Sequence, residues 1–263
     1  MEISLNTSKW YDRLWAALIF FTRLPFWRVY QPPQSAYTAV VEFWPLAGWV
    51  TAGVMAGVLY GASMVFPYGM AVVLAVGCRL LLTGALHEDG LADFFDGFGG
   101  GGRDRQRILD IMKDSHIGTY GVLALIVYLA LLFFALHSLQ PMDAALTILA
   151  VDPYAKMVSA QVIQMMPYAR TAETAKNKTV YRKFSPIAGI GLSIQGLLPV
   201  GLYLWWMQGR VEWSMLILLP CLTMYFLYLF IWRRLRGYTG DCCGALFLLT
   251  ELTAYLVVSY CRA

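Results

Sequence analysis

The sequence predicts an all-α fold: a polytopic helical bundle set in a membrane, with about seven transmembrane helices and an interfacial or re-entrant helix ahead of them. Three observations carry this expectation. Hydrophobic residues make up 59% of the chain and charged residues only 14%, against about 25% charged in a soluble domain. Apolar windows long enough to cross a bilayer recur along the chain. Lys and Arg gather in alternate connections between those windows.

The elements follow in chain order. "WAALIFF" is flanked by Asp12 and Arg23, and no small-residue cleavage site follows it. It reads as a helix lying on or part-way into the bilayer, not as a signal peptide. A spanning helix needs roughly 20 apolar residues, with a range of about 17 to 25. Seven windows qualify: 43–66, 70–86, 118–137, 144–166, 187–208, 214–232 and 243–260. The first two are joined by the turn-forming "PYG". Gly48, Gly53, Gly57 and Gly61 would let helices approach closely. With the N-terminus placed in the cytoplasm, most of the 20 basic residues fall in segments 1–42, 87–117, 167–186 and 233–242. Arg210 and Arg262 alone fall on the other side, which is the positive-inside pattern for seven spans. No internal repeat is visible, so one domain is expected over 1–263. Cys78, Cys221, Cys242, Cys243 and Cys261 form no C-x-x-C pair and read as reduced, small core residues.

The chemistry concentrates in "LTGALHEDGLADFFDGFGGGGRDR", residues 82–105. If the second span runs on past the membrane surface as a helix, Asp89, Asp93 and Asp96 share one face at i, i+4 and i+7, with Glu88 beside it. Like charges so placed repel, and a divalent cation removes the conflict. Mg²⁺ takes oxygen ligands and often uses one or two carboxylates with substrate phosphates. The competing reading is a solvated acidic cap. Gly97 and Gly99–Gly102 read as a side-chain-free loop whose N–H groups either cradle phosphate or simply link two helices. No Gly-Lys-Ser/Thr follows, so this is not a P-loop. Arg103, Arg105 and Arg107 would meet substrate anions or lipid headgroups.

Further on, "ILDIMKDSHIGTYG" offers Lys113 as an anion partner and Asp114 as a metal ligand or base, and His116 reads as a hydrogen-bonded edge residue. Asp152 and Lys156 lie inside the fourth window, where ionisable groups are costly. They are either a mutually neutralising pair or one wall of a polar substrate cavity. Arg79 lies deep in the second window with no partner legible in the sequence, and Glu251 sits within the last. The basic loop 167–186 is explained mostly by topology, with an anion-binding lid as the functional alternative.

In order, "FFTRLPFW", "FWPLAGWVTAG", "LTGALHEDGLADFFDGFGGGGRDRQRILDIMKDSHIGTYGVLAL", "MPYAR" and "RGYTGDCCGAL" resemble the blocks of the cobalamin synthase, or adenosylcobinamide-GDP ribazoletransferase, family, over nearly the whole chain. The resemblance implies an integral membrane enzyme of the bacterial inner membrane that works in late coenzyme B12 assembly, with Mg²⁺ as cofactor and its active site facing the cytoplasm. It implies that adenosylcobinamide-GDP and alpha-ribazole, or alpha-ribazole 5'-phosphate, are joined with release of GMP. The family's acidic motif falls on Glu88, Asp89, Asp93 and Asp96, its Lys-Asp-Ser block on Lys113, Asp114 and Ser115, and its Thr-Gly-Asp block on Thr239, Gly240 and Asp241.

In the reaction so implied, the ribazole 3'-hydroxyl attacks the phosphorus nearer the cobinamide. Asp89, Asp93 and Asp96 would hold one or two Mg²⁺ ions with help from Glu88. Arg103, Arg105 or Lys113 would bind phosphate, and Asp114 or Asp241 would accept the hydroxyl proton. Two departures from the family pattern stand out. "VDPYAKM" replaces a Ser-Arg-Trp-type stretch. Of two acidic positions three apart in the last window, the first is Leu248 and only Glu251 remains. The expected partners are the two small-molecule substrates and the lipid bilayer, with self-association open and no nucleic acid. The alternatives are a CDP-alcohol-type phosphatidyltransferase, whose Asp-Gly-x-x-Ala-Arg pattern lacks its arginine here, and a cation transporter. The latter is disfavoured because the carboxylates crowd one edge and no repeat is seen.

Overall fold

The computed structural model describes residues 8–170 and 180–262. Short α1, Trp10–Phe21, is followed by two 3₁₀ segments, Phe26–Arg28 and Gln34–Phe43. Then come α2 Trp44–Ser63, α3 Tyr68–Thr83, α4 Leu86–Gly100, α5 Arg105–Lys113, α6 Thr119–His137 and α7 Pro141–Ala160. The chain continues with α8 Val162–Met165, α9 Pro186–Met207, α10 Trp213–Leu235 and α11 Gly240–Arg262. Among the described residues no β-strand occurs, only an isolated bridge between Tyr168 and Tyr238. The chain is an all-α, multi-pass membrane protein.

Local chemistry sets several helix starts. Proline stands in the first turn of α2, α7 and α9, where its missing N–H costs nothing. The Ser185 hydroxyl also caps α9 by accepting from the Ala188 N–H. Each long helix lies near an expected window. Among the described residues five helices qualify as spans by length and apolar composition, or six if α3 and α4 together form one bent span, against the seven expected. Helix α3 has only 16 residues. Helix α7 is long enough but carries Asp143, Asp152 and Lys156, all buried.

The layering explains that difference. In α9 and α10 only 22% of the apolar window is buried, against 78% in α11. The outer helices therefore present Ile190, Ile194, Leu218 and Phe226 outward as a lipid-facing surface. Helices α7 and α11 form the centre. Helix α7 packs on α2, α9 and α11, while α11 packs on α4, α7 and α10. A central helix shielded by neighbours can carry polar groups that a lipid-facing one cannot.

The segments expected on one side of the membrane do meet at one end of the bundle. Arg105 donates to the carbonyls of Leu235 and Ala169 at 2.8 and 2.6 Å. The Arg182 N–H donates to the Thr38 carbonyl, and Glu42 accepts from both Arg13 and Arg182. At the opposite end Arg262 pairs with Asp143 at 2.6 Å. The five cysteines are free thiols.

Candidate active site

The second span does not run straight on into the acidic segment. Gly84 and Ala85 both adopt left-handed φ, 65° and 55°, and α4 leaves α3 at 89°. Gly84 takes this conformation without a Cβ penalty, and a Cβ there would strike the Arg23 guanidinium. Ala85 has no such exemption and stores strain. Beyond the bend, α4 is helical over Leu86–Gly100, so the expected i, i+4, i+7 spacing of Asp89, Asp93 and Asp96 holds. The expected glycine loop does not. Gly97, Gly99 and Gly100 lie inside α4, because Met112 and Tyr120 pack where side chains would stand.

The four acidic residues are distributed, not gathered. Glu88 is buried beside Arg79, 3.3 Å from its Nη2. Asp96 accepts the Gly118 and Gly121 N–H groups at 2.7 and 2.9 Å, which satisfies two otherwise orphaned donors at the start of α6. Asp93 is buried within α4. Asp89 is exposed and lines a cavity. Among the described residues no group of three or more His, Cys, Asp or Glu side chains is arranged to hold a metal ion.

That cavity, of about 140 Å³, lies between α4, the start of α11, α1, α2 and the segment after α8. Two glycines set the helix crossing at its edge. A Cβ on Gly90 would come within 3.2 Å of the Asp241 backbone, and one on Gly244 within 3.0 Å of the His87 carbonyl. With both absent, α4 and α11 cross nearly backbone to backbone, and Asp89 and Asp241 line the same space. Thr239 begins α11: its hydroxyl accepts the Cys242 N–H at 3.3 Å and donates to Asp241 Oδ2 at 3.3 Å. The Thr-Gly-Asp block is thus a helix cap that places an acid in the first turn, where the helix dipole favours negative charge.

Opposite stand Tyr168, Arg170 and Tyr181. Burial, with Asp241 nearby, pushes the Tyr168 phenol up to about 12, and burial raises the Tyr181 phenol as well. Both stay neutral donors at ordinary pH. Arg170 Nη2 is fixed by the Leu109 carbonyl at 2.7 Å, while its Nε is buried without a hydrogen-bond partner. In the sequence Arg170 falls in a basic loop explained mostly by topology, with an anion-binding lid as the alternative, and in the block "MPYAR"; the sequence alone does not single it out as a site residue. Its place beside "MPY", and the need of a diphosphate for a held cation, was the available signal.

The remaining expected residues lie elsewhere. Arg105 spends donors on backbone carbonyls, as described, and with Lys113, Asp110 and Arg170 borders a separate surface pocket. Arg103 is exposed in the turn after α4. Asp114 ends α5, is exposed, and pairs with His116 Nδ1 at 2.6 Å. It does not line the cavity, because the end of α5 holds it outside. Asp152 and Lys156 form a closed buried pair joined by the Thr51 hydroxyl, 3.1 and 3.2 Å away. Neither lines the cavity; Lys156 instead sits 4.2 Å over the Phe247 ring. Arg79 finds its partner across the bundle, with Nη1 2.8 Å from both Glu251 oxygens and Nη2 2.7 Å from the Tyr128 hydroxyl. Of the basic loop expected as a lid, Lys176 and Lys178 lie outside the described residues.

Comparison with known proteins shows the family. The family model described as Cobalamin-5-phosphate synthase matches residues 13–259. A curated protein of Leptospira interrogans named adenosylcobinamide-GDP ribazoletransferase is 30% identical, over 95% of each chain. Proteins of the same name from Leptothrix cholodnii and Vibrio parahaemolyticus are 36% and 34% identical. They cover 91% and 92% of this chain, and 92% and 89% of their own lengths. No solved structure matches. A match of this extent, over a bundle that seats the Thr-Gly-Asp block against the acidic helix, shows that the chain belongs to the cobalamin-5-phosphate synthase family of enzymes.

Proposed function

We propose that the chain joins adenosylcobinamide-GDP to alpha-ribazole, or to alpha-ribazole 5'-phosphate, with release of GMP, at the cytoplasmic face of a bacterial inner membrane. One observation carries this reading: Asp89 and Asp241 are brought by the Gly90–Gly244 crossing into one cavity that also holds Arg170. Two acids and a half-free guanidinium suit a substrate pair made of a diphosphate and a hydroxyl.

The donor set also suits Mg²⁺. One exposed and one half-buried carboxylate match an ion that binds through one or two carboxylates plus substrate phosphates and water. Asp89 and Asp241 would hold it, in place of the full four-acid set. When bound, it would supply positive charge against the diphosphate and its leaving group.

The protein's own groups do the rest. Arg170 Nε would donate to a phosphate oxygen, and the first turn of α11, at the positive end of its dipole, lines the same cavity. Phosphoryl transfer rests mainly on such positioning and charge stabilisation. The 3'-oxygen of the ribazole bonds to the phosphorus on the cobinamide side. The P–O bond to GMP breaks, and GMP leaves with the bonding electrons. The hydroxyl proton passes to a carboxylate of the cavity, for which Asp241, tethered by Thr239, is the better placed.

The test uses the full chain in lipid vesicles with both substrates, with and without Mg²⁺, read by mass spectrometry. GMP and the joined product should appear together and only with Mg²⁺. No GMP release from the intact substrate pair would overturn the proposal.

A further inference from the structure

The inner wall of the cavity is aromatic and carries polar atoms that the protein leaves unused. Phe21 from α1, Trp44 from α2 and His87 from α4 lie nearly parallel, with interplanar angles of 14°, 9° and 18° and ring centroids 5.4 to 6.2 Å apart. Phe247 meets His87 edge-on at 4.7 Å. Trp44 is 2% exposed and His87 4%. Trp44 Nε1 and His87 Nε2 are both buried with no hydrogen-bond partner among the described residues. Such orphans are rare, and each calls for an explanation.

We propose that this wall seats the flat heteroaromatic base of a nucleoside substrate, with the ring against the parallel aromatics and its polar edge bonded by Trp44 and His87. The inference rests on the reading above that the cavity is where a nucleotide reacts. An acyl chain would accept the ring faces but leave both nitrogens unsatisfied. A phosphate would satisfy the nitrogens but has no use for three parallel rings. A heteroaromatic base answers both features: indole N–H is only a donor, neutral imidazole Nε2 donates or accepts according to tautomer, and aromatic rings stack on any base. Size points the same way. At about 140 Å³ the cavity falls below the roughly 300–1,000 Å³ of pockets that engulf a whole drug-sized ligand. It suits a single ring system and leaves a corrinoid body outside.

Two bases share this chemistry: the guanine of the GDP-activated substrate and the azole base of the acceptor nucleoside. Trp44→Phe keeps a ring and removes the donor, and His87→Phe does the same on α4. In vesicles, equilibrium dialysis against GMP and against alpha-ribazole would be paired with the KM for each substrate. Loss of one hydrogen bond should weaken binding of one nucleoside about five- to tenfold, with kcat and the melting temperature near wild type. The nucleoside affected identifies the occupant. Should Trp44→Phe fail to fold, His87→Phe and Phe21→Leu carry the same readout. Unchanged dissociation constants for both nucleosides in folded variants would overturn the subsite. If that result came with normal GMP release, the transferase reading would stand without it. Base-dependent binding without GMP release would leave the subsite and remove the reaction.

Discussion

Glu88 is buried against Arg79, whereas Asp89, next in the chain, is exposed and lines the cavity. One step along α4 turns a side chain by about 100°, enough to send one acid into the bundle and its neighbour into the site. The two regions they enter are both acidic and both next to membrane helices, but they differ in what answers the charge. Inside, Arg79 is held by Glu251, Glu88 and Tyr128, and Tyr255 adds a bond to Glu251 at 3.1 Å. At the cavity, Asp89 and Asp241 line open space together with Arg170, and Thr239 donates to Asp241. Acids buried against a guanidinium hold the fold together, and those that line a cavity lie within reach of a ligand.

The sharpest way to break the contrast is Arg79→Ala. It leaves Glu251 and Glu88 buried without their cation, at a cost of about 3–5 kcal/mol, and folded protein recovered in detergent should fall steeply. Intact yield and melting temperature would show that the interior network is dispensable. Next come Asp89→Asn and Asp241→Asn, which should cut GMP release by about 10²- to 10⁴-fold while the melting temperature holds. A smaller effect is expected at Asp96, whose carboxylate caps α6: Asp96→Ala should lose about 1–2 kcal/mol of stability, visible as a lower melting temperature, and keep activity at low temperature. If activity vanished there with stability unchanged, Asp96 would belong with the cavity acids after all.

The smallest effect is expected at Asp114. The His116 side-chain hydrogen bond, with backbone N–H groups, holds its carboxyl below the ordinary 3.8. A lowered folded-state value means that the stabilisation is complete above 3.8 and is lost as pH falls through the lower value. Because the pair is exposed, the loss should be barely visible in melts of wild type against His116→Ala, and Asp114→Asn should leave turnover near wild type. A collapse of turnover would return Asp114 to the catalytic set.

What the sequence made legible followed from local pattern. The apolar windows mark α2, α6, α9, α10 and α11 closely, and basic loops group the segments that meet at one end. The spacing of Asp89, Asp93 and Asp96 needed only helix geometry. The bend before α4 was hidden because it depends on a left-handed alanine, Ala85, which no local preference announces. The partner of Arg79 was hidden because Glu251 lies 172 residues away. The glycines after Asp96 looked like a loop, since glycine weakens helices; only the packing of Met112 and Tyr120 shows why a helix keeps them. Arg170 lies in a loop that topology mostly explains, and Phe21, Trp44 and His87 lie far apart in three of the resembling blocks; only their convergence in space shows what they share.

Where α4 passes over α11, two hydrogen atoms stand in for two side chains, and they work as a spacer gauge for the whole enzyme. A single methyl group added at either Gly90 or Gly244 would wedge the helices apart without altering one ionisable group. The gap across which the opposing acids act is therefore fixed by what has been left off the backbone, so an alanine can serve as a ruler there.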